Sequence, residues 1–130
     1  MNIVIADDTA IVRERLAGLL EELPFVRAIH QAETTADAER LIRETHPDVA
    51  ILDIRFQNGT GIDVLQALKG SCPGTTFIML TGFPFPQYRN KCFEAGADYF
   101  LEKSTEFNKL PRILEEIAGE MASHQPAATE

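Results

Sequence analysis

Apolar residues are concentrated in short runs along the chain. The runs at 2–6, 49–53 and 76–80 are apolar almost throughout, which is typical of strands buried on both faces of a parallel sheet. A more polar run at 26–33 predicts an edge strand, and Tyr99-Phe100-Leu101 predicts a further strand. The chain is therefore expected to contain five strands, with the run that ends at Asp53 in the middle of the sheet.

Apolar residues recur at helical spacing between these strands. The first stripe consists of Val12, Leu16, Leu19, Leu20 and Leu23. Asp8 or Thr9 can cap this helix, and Pro24 prevents it from continuing. Four more helices are predicted, and their expected positions are from Thr34 to just before Pro47, from Ile62 to Gly70, from Pro86 to Ala95, and over 107–121 with Pro111 in the first turn. Gln57 to Thr60 is expected to be a loop.

Strands and helices alternate along the whole pattern. This alternation predicts a parallel sheet with helices on both faces and right-handed crossovers. We therefore predict an α/β fold, a flavodoxin-like doubly wound five-stranded parallel sheet of order 2-1-3-4-5 built from five βα units. One domain is expected over residues 1–122, and a flexible polar tail over 123–130.

Composition and charge argue against nucleic-acid binding, membrane contact and a cysteine-based metal or redox site. The net charge is −8, and the basic residues are scattered, so direct binding to nucleic acid is not expected. No apolar run approaches the length of a membrane span, and no basic segment followed by an apolar one opens the chain, so we expect a soluble, cytoplasmic protein without membrane contact. Cys72 and Cys92 fit no metal or redox spacing and are expected to be reduced thiols.

Polar side chains stand at the ends of four predicted strands. Asp7 and Asp8 follow the first, Asp53 the third, Thr81 the fourth and Lys103 the fifth. The first and third strands are neighbours in the predicted order, so their three carboxylates can converge in one crevice at the carboxyl edge of the sheet. Three carboxylates repel one another unless a cation compensates them. Ligands that are all oxygen favour Mg²⁺ over zinc, with Mn²⁺ as the other candidate.

The same edge carries groups suited to phosphoryl transfer. A carboxylate can accept a phosphoryl group covalently. Mg²⁺, the Lys103 ammonium group and the Thr81 hydroxyl group are suited to stabilise the charge on the phosphoryl oxygens. We therefore predict in-line attack by Asp53 on a bound phosphodonor, followed by hydrolysis of the acyl phosphate.

The chain resembles the receiver domain of two-component response regulators over about residues 2–120. The resemblance rests on Lys103 and on the motifs Ile5-Ala6-Asp7-Asp8, Leu52-Asp53-Ile54-Arg55, Gly59-Thr60-Gly61, Leu80-Thr81-Gly82 and Gly96-Ala97-Asp98. It implies that Asp53 is phosphorylated by a histidine kinase or phosphotransfer protein. It also implies that Mg²⁺ is held by Asp8, Asp53 and the backbone carbonyl group of Arg55, with help from Asp7.

The resemblance further implies a conformational switch. Thr81 and Phe100 match the family's pair of switch residues. Phosphorylation is expected to reshape the 4-5-5 face, which is formed by the fourth and fifth strands and the last two helices. A downstream protein or a second copy of the chain is expected to bind there. Arg55 and Phe83 are expected to set the lifetime of the phosphoryl group.

Three positions depart from the family pattern. Gln57 stands where proline is common, which predicts a looser loop after Asp53. Ser104 replaces a frequent proline after Lys103, and a cis peptide bond there would cost about 2.5–4 kcal/mol without proline. Phe100 lacks a hydroxyl group, so any movement of this ring cannot use a phenolic hydrogen bond.

Three other functions fit parts of the pattern less well. A phosphatase of the haloacid dehalogenase type needs a second aspartate two residues after the first, where this chain has Arg55. A flavin-binding module of the same topology needs a phosphate loop, whereas Asp7-Asp8-Thr9 is anionic. A receiver that signals without phosphate is disfavoured because every acid and the lysine are present. The sequence thus predicts a signalling switch that catalyses only its own phosphorylation and dephosphorylation.

Overall fold

Five parallel strands form the central sheet. The structure is a computed structural model that describes residues 1–82 and 84–123. The strands are β1 (Asn2–Ala6), β2 (Ala28–Ala32), β3 (Val49–Leu52), β6 (Thr76–Thr81) and β7 (Tyr99–Glu102), and two short strands, β4 (Arg55–Phe56) and β5 (Gly59–Thr60), form a separate antiparallel pair. The sheet order is β2-β1-β3-β6-β7 with every pairing parallel. β6 and β7 are the fourth and fifth strands of this sheet along the chain, so the predicted order 2-1-3-4-5 is confirmed.

Five α-helices connect the strands. They are α1 (Ala10–Leu20), α2 (Thr35–Thr45), α3 (Gly61–Leu68), α4 (Pro86–Ala95) and α5 (Leu110–Ser123), and a 3₁₀ turn (Phe107–Lys109) precedes the last. Pro111 lies in the first turn of α5, where its missing N–H group disrupts no helical bond. None of the helices in the described part of the chain is long and apolar enough to cross a bilayer.

Alternate residues of the inner strands enter two separate cores. Val4 and Ala6 of β1 pack with residues of α2, α3 and α4, whereas Ile3 and Ile5 pack with residues of α1 and α5. β3 is buried along its whole length. Because both faces of β3 are covered, the first residue after it, Asp53, is the first point at which this strand can present a polar side chain at the sheet edge.

The main departure from the predicted elements lies after Asp53. Gly59 and Thr60, expected in a loop, instead pair with Phe56 and Arg55 in the β4–β5 hairpin. Gly59 has φ of +141°, a conformation that side chains disfavour. The Thr35 hydroxyl group donates to the Asn58 carbonyl oxygen at 3.4 Å, which ties the hairpin turn to α2.

Three helix ends also depart from the predictions or refine them. α1 stops at Leu20, three residues before the predicted limit, although Leu23 still packs against the core. Gly70 does not terminate α3 in a left-handed conformation, whereas Gly96 does so for α4 at φ of +110°. α2 ends at Thr45, before Pro47 as predicted, and its C-cap residue His46 has φ of +45°.

The predictions for Phe83, for the tail and for the peptide bond after Lys103 remain to be compared with the structure. Phe83 and residues 124–130 of the predicted tail lie outside the described part of the chain. Ser123, predicted to begin the tail, is instead the last residue of α5. No cis peptide bond occurs within that part, so the peptide bond between Lys103 and Ser104 is trans.

Candidate active site

Asp53 is held at the carboxyl end of the central strand. Its N–H group donates to the Ala6 carbonyl oxygen at 2.9 Å, which extends the pairing of β1 with β3 by one residue. Its side chain is buried, with Oδ1 accepting the Ile54 N–H group at 2.7 Å and Oδ2 accepting the Lys103 ammonium group at 2.9 Å. The carboxylate is therefore fixed at both oxygens.

Asp7 and Asp8 follow the neighbouring strand β1. The N–H group of Asp7 donates to the Ala32 carbonyl oxygen at 3.1 Å, and its buried carboxylate accepts the Thr9 N–H group at 2.8 Å. Asp8 is half-buried. Thr9 occupies the N-cap position of α1 but makes no side-chain capping bond. The turn that begins α1 thus directs Asp7 inward.

The three aspartates form a compact group of oxygen ligands. One carboxylate oxygen from each of Asp7, Asp8 and Asp53 lies within 4.8 Å of the other two. Oxygens bound to one divalent cation at about 2.0–2.6 Å lie at most about 5 Å apart. The spacing and the all-oxygen chemistry fit a hard divalent cation.

Lys103 joins the two buried carboxylates. Its N–H group donates to the Thr81 carbonyl oxygen at 2.8 Å, which continues the β6–β7 ladder and fixes where its side chain begins. Its Nζ atom lies 2.5 Å from Asp7 Oδ2 and 2.9 Å from Asp53 Oδ2. The sequence prediction that these side chains meet at one edge is confirmed in the structure.

The charges at this edge shift two ionisation equilibria. Burial raises the pKa of Asp53, Lys103 opposes this through its hydrogen bond and charge, and the Asp7 charge adds to the increase, so that the pKa is raised overall. Burial alone would lower the pKa of Lys103, but its hydrogen bonds and charge pairing with Asp7 and Asp53 outweigh burial and raise it. Lys103 is therefore a firmly protonated cation.

Thr81 lies on β6, the strand next to β3, and Phe100 lies on β7, the edge strand beyond it. Thr81 is fully buried at the end of β6, two residues beyond Met79, which pairs with Leu52. Phe100 pairs with the same Met79 and packs in the core beside α2, α3 and α4, with the Arg89 guanidinium group 5.7 Å from its ring centre. Both predicted switch residues therefore point to the same face of the sheet.

Arg55 opens the hairpin directly beyond the acidic group. It is exposed, and its backbone pairs with that of Thr60. Phe83, the other residue expected to control phosphoryl lifetime, lies outside the described residues. The structure thus brings Asp7, Asp8, Asp53 and Lys103 together directly, with Arg55 next along the chain.

Two contacts at this edge, made by Arg13 and Gly61, were not predicted from the sequence. Arg13 donates to the Asp7 carbonyl oxygen at 2.7 Å and to the Gln31 side chain at 3.2 Å, although a single arginine on a helix is usually solvated. Gly61 donates its N–H group to the Ile54 carbonyl oxygen at 2.7 Å. Its place after a capping threonine, in Gly59-Thr60-Gly61, was the available signal of a close approach.

Comparisons with known proteins match most of the chain. The family model for the response regulator receiver domain matches residues 3–115. The sensory transduction protein LytT of Enterococcus faecalis is 27% identical over 129 residues, which are 99% of this chain and 52% of LytT. The chain spans about half the length of the curated relatives it matches.

Solved structures show the same architecture. A two-component response regulator of the LuxR family from Aurantimonas sp. SI85-9A1 matches with a TM-score of 0.82 and 29% identity, covering 91% of this chain and 85% of that one. A response regulator from Burkholderia pseudomallei, solved with a phosphorylated aspartic acid, calcium ion and citrate, matches with a TM-score of 0.79 and 23% identity, covering 96% and 75%. At that identity the second likeness shows the fold alone.

Proposed function

Because the chain belongs to the response regulator receiver domain family, we propose that it accepts a phosphoryl group on Asp53 and so acts as a switch in two-component signalling. Receiver domains are signalling switches rather than classical enzymes. The observation that carries the proposal is the direct contact of Lys103 Nζ with Asp53 Oδ2 at 2.9 Å, inside a group of three aspartates.

The proposed reaction is a single phosphoryl transfer. An oxygen of Asp53 forms a bond to phosphorus while the phosphorus–nitrogen bond of a phosphohistidine breaks, and the electron pair of that bond stays on the imidazole nitrogen. Lys103, already aimed at Asp53, stabilises the negative charge of the incoming phosphoryl oxygens, and the Thr81 hydroxyl group donates to one of them. Water later attacks phosphorus and releases phosphate, which restores the carboxylate.

A divalent cation, Mg²⁺ or Mn²⁺, is part of the proposal. Asp7, Asp8, Asp53 and the main-chain carbonyl group of Arg55 would hold it. When bound, the cation would offset the negative charge of the carboxylates and of the phosphoryl group. The B. pseudomallei response regulator, which shares the fold, was solved with a phosphorylated aspartic acid and a calcium ion.

The partners follow from the family. The donor would be a histidine kinase or phosphotransfer protein, and the output would be contact of the face formed by α4, β7 and α5 with a downstream protein or a second copy of the chain. Phe93 is exposed, and the guanidinium group of Arg89 lies 5.1 Å from the centre of the Phe93 ring, so this face carries apolar and cationic groups.

The proposal also includes the switching roles of Thr81 and Phe100. It further includes control of the phosphoryl lifetime by Arg55 and Phe83. A receiver domain over residues 1–122, a cytoplasmic location and the lack of direct nucleic-acid binding belong to it as well.

Intact-mass measurement tests the proposal. The protein is incubated with Mg²⁺ and acetyl phosphate or phosphoramidate, and a gain of one phosphoryl group is expected. Asp53→Ala should abolish the gain, whereas Asp63→Ala, which removes an exposed carboxylate outside the acidic group, should retain it. No gain on the wild-type protein, or a gain that survives Asp53→Ala, would refute the proposal.

A further inference from the structure

We infer that Gly61 is a positioning residue that sets the location of Asp53, an inference that rests on the proposed role of Asp53 as acceptor. Gly61 is the first residue of α3. A Cβ atom built on it would lie 1.9 Å from the Asp53 carbonyl oxygen and 3.2 Å from the Met79 methyl carbon. Non-bonded heavy atoms pack best at about 3.5–4.0 Å, so any side chain at position 61 would displace the backbone of Asp53.

Two hydrogen bonds hold Gly61 in this close contact. Its N–H group donates to the Ile54 carbonyl oxygen at 2.7 Å, directly beside the carbonyl group it touches. The preceding residue, Thr60, caps α3 by accepting the Asp63 N–H group at 3.1 Å. The start of α3 is therefore anchored while it presses against the backbone of Asp53.

The same contact closes the β4–β5 hairpin at its base. Arg55 pairs with Thr60, so the chain leaves Asp53, turns at Gln57 and Asn58, and returns to Asp53 at Gly61. The carboxylate of Asp53 and the carbonyl group of Arg55 are consequently part of one closed loop. Displacing its base would move both groups relative to Lys103.

The requirement at position 61 is for space rather than for an unusual backbone conformation. Gly59 and Gly96 are the glycines with positive φ among the described residues. A Cβ atom at Gly18, Gly70, Gly74, Gly82 or Gly119 would meet nothing within 4 Å. An added methyl group should therefore disturb the acceptor at Gly61 and be accommodated at Gly70, two residues after the end of α3.

The test compares Gly61→Ala with Gly70→Ala. Circular dichroism first establishes that each variant is folded at the assay temperature. The rate of phosphoryl gain from saturating acetyl phosphate is then followed by intact mass across a Mg²⁺ series, which separates the limiting rate from the Mg²⁺ dependence. Gly61→Ala should lower the limiting rate at least about tenfold and shift the Mg²⁺ dependence to higher concentration, whereas Gly70→Ala should match the wild type.

The outcomes are distinguishable. A wild-type protein that gains no phosphoryl group refutes the proposed function, and the inference fails with it. A wild-type protein that reacts, beside a folded Gly61→Ala variant with unchanged rate and Mg²⁺ dependence, overturns the inference alone. If Gly61→Ala does not fold under these conditions, all three proteins are compared in a stabilising osmolyte such as sucrose, which favours the folded state. A lowered limiting rate of folded Gly61→Ala in that solution supports the inference, and a wild-type rate overturns it.

Discussion

The single ammonium group of Lys103 faces two buried carboxylates, those of Asp7 and Asp53. With its Nζ atom 2.5 Å from Asp7 and 2.9 Å from Asp53, one negative charge is left without a full counterion. Burial raises the pKa of Asp53, and Lys103 does not cancel that increase. We therefore expect Asp53→Asn to raise the free energy of unfolding at pH 7 without divalent cations, as measured by urea unfolding, because Lys103 keeps Asp7 as its partner.

The pH dependence of this gain follows from proton linkage. Since the pKa of Asp53 is raised in the folded protein, the folded protein binds this proton more tightly than the unfolded chain. The stability that the wild-type protein gains from this proton is fully present below the pKa of Asp53 in the unfolded chain. It is lost as pH rises through the pKa of Asp53 in the folded protein. The increase in the free energy of unfolding that Asp53→Asn brings should thus shrink as pH falls toward about 4.

As a control, Asp63→Asn removes an exposed carboxylate at the start of α3 and should not raise the free energy of unfolding. If Asp53→Asn had a lower free energy of unfolding than the wild type at pH 7, the argument would be contradicted.

Sequence reasoning succeeds at the residue scale wherever a side chain directly follows a strand. Asp7, Asp53 and Lys103 could be placed at one edge because parallel strands end together, and the backbone ladders extend to each of them. The contacts of Arg13 and Gly61 were missed for a common reason. Each depends on how closely two segments approach in three dimensions. A lone arginine does not encode that distance, and a glycine after a capping threonine indicates a close approach without identifying the segment that it contacts.

At the scale of elements, Thr9 and Thr34 occupy the same N-cap position in two helices but act differently. The Thr34 hydroxyl oxygen accepts the Asp37 N–H group at 3.1 Å, whereas Thr9 makes no side-chain capping bond. Thr34→Ala should therefore lower the free energy of unfolding by about 1 kcal/mol, and Thr9→Ala by clearly less. Urea unfolding of both variants measures the difference, and equal losses would show that the capping bond does not stabilise α2.

The elements themselves were predictable in proportion to the strength of their apolar pattern. The five main strands and their order followed from runs that are buried on both faces. The β4–β5 hairpin did not, because Arg55, Phe56, Gly59 and Thr60 form two pairs too short to show alternation. The end of α1 was placed too late because Leu23 continues the apolar stripe, yet it reaches the core from a turn. Burial alone therefore does not reveal whether a residue is helical.

At the scale of the whole molecule, the two cysteines report on opening of the fold. Cys72 and Cys92 are both buried in the core between the sheet and helices α2, α3 and α4. Burial raises the pKa of Cys92 to about 11, and the thiolate is the reactive form. A disulfide reagent at neutral pH should accordingly modify both thiols slowly in the folded protein and rapidly in urea.

Cation binding should slow this modification even though neither thiol lies at the acidic group. A ligand that binds only the folded state reduces the open population by a factor of one plus its concentration over Kd. With a reagent that reacts slowly relative to reclosing, Mg²⁺ at ten times its Kd should slow modification about elevenfold, while NaCl of equal ionic strength should not. Asp53→Ala should weaken this protection because it removes one of the three clustered carboxylates. If Mg²⁺ left the modification rate unchanged while it still supported phosphorylation, the thiols would be exposed by a local opening of the α3–α4 side that leaves the acidic group intact.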